Sequence, residues 1–136
     1  MQGPPIGDIE DAYRAILYPW QWADDLDRPS SAAFRDPVLS VDIKSRTTPA
    51  ETRARFRGEV KLVEFGCGEA RSIGFDTRDE PDVASPDNRA HAHVYCVVEE
   101  KRRKGAARRL AEARRLVRAV DARRAPRAGS LSGLGA

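Results

Sequence analysis

The chain has 136 residues, 40% of them hydrophobic and 33% charged, which suits one domain with a single core rather than a disordered segment. No apolar run approaches the ~20 residues that cross a bilayer, and the N-terminal segment lacks the basic and apolar parts of a secretory signal. The two cysteines are too few for a disulfide framework, so we expect a cytoplasmic protein without a membrane partner.

Charge divides the chain near residue 100. Residues 1–100 hold 12 basic and 19 acidic side chains, a net charge of −7, whereas residues 101–136 hold 12 basic and 2 acidic ones, a net charge of +10. A basic segment of this kind binds either an external polyanion or the acidic part of its own chain. The basic residues are mostly arginine, which, with the abundant alanine, is typical of a GC-rich bacterial genome.

The first third of the chain predicts one helix, one irregular segment and one strand. Residues 7–17, GDIEDAYRAIL, place apolar side chains at helical spacing behind Asp8 as a helix N-cap. Residues 19–37 contain three prolines and no period, so we expect an irregular segment that Trp20 and Trp22 anchor to the core. The alternation in VLSVDIKS, residues 38–45, predicts a strand.

The middle of the chain predicts a short helix and a β-hairpin. A helix over residues 49–57 follows from a capping box, in which Thr48 is the N-cap, Pro49 the first helical residue and Glu51 the third. Residues 59–78 read as two strands joined by the glycines around Cys67. Cys67 is then an ordinary turn residue or an exposed reactive thiol.

The last third predicts a strand in RAHAHVYCVV, residues 89–98, and a basic helix over residues 101–124. An apolar stripe along this helix comprises Ala106, Leu110, Ala113, Val117 and Val120. Residues 126–136 are expected to form a flexible tail. The predicted fold is a single α+β domain over residues 1–125, with an antiparallel sheet of about four strands, helices on one face and a long basic C-terminal helix.

The histidine-containing strand has three interpretations. Alternation places His91, His93 and Tyr95 on one face and Ala92, Val94 and Cys96 on the face toward the core. Two imidazoles can bind a metal when a third ligand joins them, here Asp76, Asp79, Asp82 or Asp87, but no strong metal motif accompanies the pair. They can also act as acid and base in phosphodiester cleavage, with Arg89, Arg78 or Arg71 steadying the charge and Tyr95 orienting the phosphate. Otherwise they are ordinary half-exposed strand residues.

The basic helix also has three interpretations. It binds nucleic acid, it packs on a protein partner or a second copy through its apolar stripe, or it folds onto its own acidic body. The residues that we expect to contact phosphate are Arg102, Arg103, Arg108, Arg109 and Arg115. Base stacking is not expected there, because no aromatic residue follows residue 96.

These patterns predict a binding or accessory module that acts through residues 101–124 on nucleic acid or on a larger protein partner. No nucleotide-binding loop, nucleophile elbow or strong metal motif is present in the sequence, so no cofactor or metal is predicted. The alternative is a small histidine-dependent hydrolase, a toxin-type ribonuclease that uses His91 and His93.

Overall fold

A six-stranded antiparallel sheet organises the computed structural model, which describes residues 3–80 and 88–117. The strands are β1 (Asp11–Leu17), β4 (Val38–Ile43), β5 (Val60–Gly66), β6 (Phe75–Asp79), β7 (His91–Cys96) and β8 (Arg115–Val117), in the spatial order β6-β7-β4-β1-β5-β8. The short strands β2 (Trp22–Ala23) and β3 (Arg28–Pro29) pair separately. The helices are α1 (Pro49–Ala54), α2 (Cys67–Ile73) and α3 (Glu100–Ala113), with 3-10 turns at Asp24–Leu26, Ser31–Phe34 and Lys44–Arg46.

The two faces of the sheet differ in what covers them. The core face carries the main apolar cluster, which includes Leu39, Val41 and Val94 and lies beneath α2, α3 and the turn at Ser31–Phe34. The opposite face is called the second face below. Asp42 points to it, because this residue alternates with the core-facing residues of β4. The helix α1 covers the second face, where Thr52 Oγ1 donates a hydrogen bond to Asp42. The α+β class and the antiparallel pairing are confirmed, but the sheet has six strands instead of about four, and the prediction of helices on one face only is wrong.

The predicted N-terminal helix is wrong, because residues 11–17 form β1 in the middle of the sheet. Ala12 and Ile16 are buried on the core face, while Tyr13 is buried on the second face. A strand that is covered on both faces does not show a clean alternation of apolar and polar residues. Its apolar positions therefore matched helical spacing by coincidence.

The predicted hairpin over residues 59–78 is also wrong. Its arms are the strands β5 and β6, but α2 joins them, and three other strands, β7, β4 and β1, lie between them in the sheet. The glycines serve close packing instead of a turn, since Gly68 N donates to Asp8 O at 3.1 Å and a Cβ at Gly68 would lie 2.9 Å from that oxygen. Cys67 begins α2 and is fully buried, so it is not an exposed thiol.

Three local predictions are confirmed and one anchor is not. Strands form where predicted at β4 and β7, and α1 begins as expected, with Thr48 Oγ1 accepting a hydrogen bond from Glu51 N at 3.1 Å. The helix ends at Ala54, three residues earlier than predicted. Trp22 is buried in the core, whereas Trp20 is 82% exposed and does not anchor its segment.

The long C-terminal helix is not found. The helix α3 ends at Ala113, Arg114 is extended, and β8 pairs with β5 through Leu62↔Val117 and Val63↔Leu116. As part of β8, Leu116 packs against the main cluster on the core face and Val117 packs on the second face. The predicted tail and the end of the predicted helix, residues 118–136, lie outside the described residues.

The apolar stripe is not a free surface for pairing with a second copy. Ala106 and Leu110 are fully buried in the chain's own core, and Val117 packs on the second face as part of β8. Among the described residues, no helix is long and apolar enough to cross a membrane.

Candidate functional site

The first candidate site is the solvent side of α3. Ala106, Ala107, Leu110 and Ala111 are buried and hold this helix against the core. The opposite side of the helix exposes five cationic side chains, called the basic surface below: Lys101, Arg102, Lys104, Arg108 and Arg109. At 100° per residue four of these positions fall on the half of the helix away from the buried residues, and Lys104 lies at the edge of that half.

The cations of the basic surface have few partners within the described ranges 3–80 and 88–117. Lys101 Nζ lies 3.6 Å from Glu99 Oε2, and Arg109 Nη2 donates to the main-chain oxygen of Ile73 at 3.4 Å. Within those ranges no carboxylate lies at ion-pair distance from Arg102, Lys104 or Arg108. Their charge is therefore open to an external anion.

The structure brings three of the five predicted phosphate-binding residues together and separates two. Arg102, Arg108 and Arg109 belong to the basic surface. Its other two members are Lys101 and Lys104. Arg103 is half-buried, and its Nε is enclosed without a hydrogen-bond partner among the described atoms. Arg115 lies on β8, with Nη2 2.7 Å from Asp11 Oδ1 and 3.5 Å from Glu64 Oε2. The charge of Arg115 is therefore engaged by carboxylates of its own chain.

The second candidate site lies on β7, where the predicted alternation is confirmed. Ala92 and Val94 are buried on the core face, and His91, His93 and Tyr95 are half-buried on the second face. The rings of His91 and His93 meet edge to face with centroids 4.8 Å apart, and those of His93 and Tyr95 do so at 6.0 Å. Alternation on one strand is sufficient to place all three rings in a row.

Glu80 binds all three side chains of this row. His91 Nδ1 lies 2.9 Å from the main-chain oxygen of Glu80, and His93 Nδ1 lies 3.1 Å from Glu80 Oε1. The Tyr95 hydroxyl donates a hydrogen bond to Glu80 Oε2. The hydrogen bond from Tyr95 is the main cause that lowers the pKa of Glu80, and the neighbouring His93 adds to it. Glu80, His91, His93 and Tyr95 are called the histidine cluster below.

Sequence reasoning missed Glu80. It follows β6, and the pairing of β6 with β7 returns it to residues that lie 11 to 15 positions further along the chain. The only signal in the sequence is an acidic residue at the end of a predicted strand. The hairpin prediction pairs that strand with β5, whereas in the structure it pairs with β7. Without the register Arg78↔His93, nothing in the sequence links this carboxylate to the imidazoles.

Two ion-paired groups flank the histidine cluster. On the β4 side, Asp42 pairs in register with His91 and accepts hydrogen bonds from Thr52 Oγ1 at 2.7 Å, from Asn88 Nδ2 at 3.3 Å and from Arg55. On the β6 side, Arg78 pairs in register with His93, and its Nε donates to Asp76 Oδ2 at 2.9 Å.

The arginines predicted to steady a phosphate differ in position. Arg89 is exposed in the turn before β7, and no hydrogen bond or ion pair in the described part of the chain joins its side chain to the cluster. Arg71 reaches Asp76 and Asp8 from α2. Only Arg78 is brought beside a histidine, through its cross-strand position opposite His93.

Metal and thiol chemistry find little support in the parts of the chain that are described. Residues 3–80 and 88–117 contain no group of three or more His, Cys, Asp or Glu side chains arranged to hold a metal ion. Asp82 and Asp87, two of the proposed third ligands, lie outside those ranges. Burial raises the pKa of the Cys67 thiol, which keeps it protonated at neutral pH.

The two candidate sites lie on opposite sides of the sheet and supply different chemistry. The helix α3 covers the core face and turns its cations to solvent, whereas the histidine cluster stands on the second face. Comparisons with protein-family models, curated proteins and solved structures give no match. One site offers cations to a polyanion, and the other offers two imidazoles beside a carboxylate.

Proposed function

We propose that the protein is a small cytoplasmic module that binds nucleic acid through the basic surface of α3. The observation that carries this proposal is the exposure of five cations on a helix whose other side is fixed in the core. Neutralising phosphates releases condensed counterions, and this release drives association without any need for sequence recognition.

The shape of the basic surface suits a phosphate backbone. Lys101 and Arg108 are two helical turns apart, about 10 Å at ~1.5 Å per residue. Duplex DNA carries one negative charge per about 1.7 Å of axis, so a surface of this length meets several phosphates. Residues 100–117 contain no Asn or Gln to read adenine and no aromatic side chain to stack on bases, so phosphate contact is the interaction that these cations supply most directly.

An acidic protein is the other partner that such charges attract. Protein interfaces usually have an apolar centre surrounded by a polar rim. The apolar residues of α3 are buried in the chain's own core or, at Ala113, half-buried, so the solvent side of the helix offers no such centre. This distribution favours nucleic acid over a protein partner.

The test is fluorescence anisotropy of labelled RNA and duplex DNA with the full chain over a series of salt concentrations. We expect the triple variant Arg102→Gln, Arg108→Gln, Arg109→Gln to lose affinity by at least about tenfold and the salt slope to become shallower by about 2–3. The matched control is Arg35→Gln, Arg57→Gln, Arg89→Gln, which removes the same charge from exposed positions elsewhere.

Preferential loss in the α3 variant supports the proposal. Equal losses in both triple variants would assign the binding to net charge instead of to this surface. An absence of binding by the unaltered protein at low salt would refute the proposal outright and direct the search to an acidic protein partner.

A further inference from the structure

We propose that His91 and His93 are a general base and a general acid that cleave RNA by transfer of phosphorus to the ribose 2′-oxygen, and that Glu80 positions both imidazoles. The inference goes beyond nucleic-acid binding and does not depend on it. The basic surface lies on the other side of the sheet, so a strand held on α3 is not thereby placed in the histidine cluster.

Glu80 fixes which nitrogen of each ring exchanges protons. A carbonyl oxygen only accepts hydrogen bonds, so the 2.9 Å contact with Glu80 O requires the proton of neutral His91 on Nδ1. The Glu80 carboxylate oxygen 3.1 Å from His93 Nδ1 is not aligned for a hydrogen bond, but its negative charge at this distance favours a proton on that atom as well. In both rings Nε2 is then the nitrogen that takes up or releases a proton.

The surroundings of the two rings assign different roles to them. His91 Nδ1 faces the main-chain carbonyl oxygen of Glu80, and His93 Nδ1 faces its carboxylate. The ion pairs of Asp42 with Arg55 and of Asp76 with Arg78 flank the two rings. In the described residues no arginine or lysine lies within ion-pair distance of Glu80. We assign the acid to His93, because the adjacent carboxylate balances the positive charge of a proton-donating imidazolium, and the base to His91.

The reaction needs only these two proton transfers. The ribose 2′-oxygen attacks phosphorus while its proton passes to His91 Nε2. The bond from phosphorus to the 5′-oxygen breaks, and that oxygen takes the proton of His93 Nε2. The products are a 2′,3′-cyclic phosphate and a 5′-hydroxyl, with both imidazoles in the opposite protonation state, which solvent then resets.

A nucleophile supplied by the protein is the competing mechanism. Ser40 on β4 lies opposite His93 in the strand register, so Ser40, His93 and Glu80 resemble a serine hydrolase triad in order. No hydrogen bond joins Ser40 to His93 among the described contacts, and the neighbouring backbone amides are engaged in strand pairing instead of forming an oxyanion hole. A substrate that brings its own nucleophile suits this site better.

The test uses a ribodinucleotide, its 2′-deoxy counterpart and the full-length protein, with the products identified by mass spectrometry. We expect cyclic phosphate from the ribose substrate alone. His91→Ala and His93→Ala each lower the rate by about 100-fold or more. Ser40→Ala retains the rate, and a loss of activity in Ser40→Ala would overturn the role given to the 2′-oxygen.

Glu80→Gln supplies the readout that a merely structural role would not move. We expect kcat to fall by about tenfold or more with KM little changed, because the amide fills the same space but no longer carries the charge that faces His93. Thermal melts of each variant separate loss of activity from loss of fold. Cleavage that persists in the double variant His91→Ala, His93→Ala, or no cleavage by the unaltered protein, would refute the proposal.

The dinucleotide also separates this inference from the proposed function. It is too short to depend on the basic surface, so its cleavage and the binding of longer RNA are measured separately. A protein that binds RNA but leaves the dinucleotide intact would contradict only the acid–base site. A protein that cleaves the dinucleotide but binds no longer RNA would contradict only the role of α3.

Discussion

The basic surface and the histidine cluster are both polar, but they are built in opposite ways. On α3 the cations have few partners within the described chain. On the second face polar side chains hold one another in two groups, Asp42 with Arg55 and Glu80 with Tyr95. An open set of charges suits a partner recognised by its charge alone, whereas an interlocked set suits chemistry that needs fixed proton positions.

The largest expected effect tests whether α3 really has an anchoring side and a separate binding side. Leu110→Ala should destabilise the protein by about 2–5 kcal/mol, because it opens a cavity where a fully buried side chain packs. Arg108→Ala, two residues away on the exposed side, should stay within about 0.5 kcal/mol of the unaltered protein. Urea unfolding measures both. A similar loss in the two variants would contradict the division of α3 into two sides.

The second prediction tests the interlocked character of the second face. Asp42→Ala leaves the donors of Thr52, Arg55 and Asn88 without their acceptor, and we expect a loss of about 2 kcal/mol. The carboxylate is buried, but Arg55 is partly exposed and solvent screens its charge, so the cost stays below that of a fully buried pair.

The exposed carboxylate of Asp25 provides the matched control. Asp25→Ala removes the same group where solvent replaces it, and it should change the free energy of unfolding by no more than about 0.5 kcal/mol. If Asp42→Ala proved equally neutral in urea unfolding, the polar groups of the second face would not support one another. The contrast with α3 would then disappear.

The difference between local and non-local signals explains how much of the fold could be predicted from the sequence. The capping box of α1 and the alternation of β7 are local signals, and both elements form where they were predicted. The central strand β1 was mistaken for a helix, because burial on both faces removes the alternation that marks a strand. The helix α3 was extended too far, because periodicity cannot reveal that a sheet edge is available to Leu116 and Val117.

The two candidate sites show the same division between local signals and long-range strand pairing. A basic run is visible in the sequence, and only its two outliers, Arg103 and Arg115, required the structure. His91, His93 and Tyr95 were visible as a row because they share one strand. Glu80 was not, because strand pairing brings it to the row, and the order of strands cannot be read from composition or spacing.

The smallest expected effect concerns the bond that most depresses the pKa of Glu80. Tyr95→Phe removes the hydroxyl that donates to Glu80 Oε2, so the pKa of this carboxyl should rise toward its ordinary value. A carboxyl whose pKa is lowered by folding stabilises the protein above its unfolded pKa, about 4.3, and loses that contribution as the pH falls through the folded value. The Tyr95→Phe variant should therefore lose slightly less stability than the unaltered protein as the pH falls.

Carboxyl chemical shifts followed by NMR through an acid titration measure the pKa of Glu80 directly. The matched control is Tyr18→Phe, which removes a hydroxyl that donates to Asp24 Oδ1 at 3.1 Å and should leave the titration of Glu80 unchanged. A Glu80 pKa unaffected by Tyr95→Phe would mean that the carboxylate is free to leave Tyr95. Because the same carboxylate faces His93, its hold on that imidazole would then be in doubt as well, and the histidine cluster would resemble the open charges of α3 more than an interlocked site.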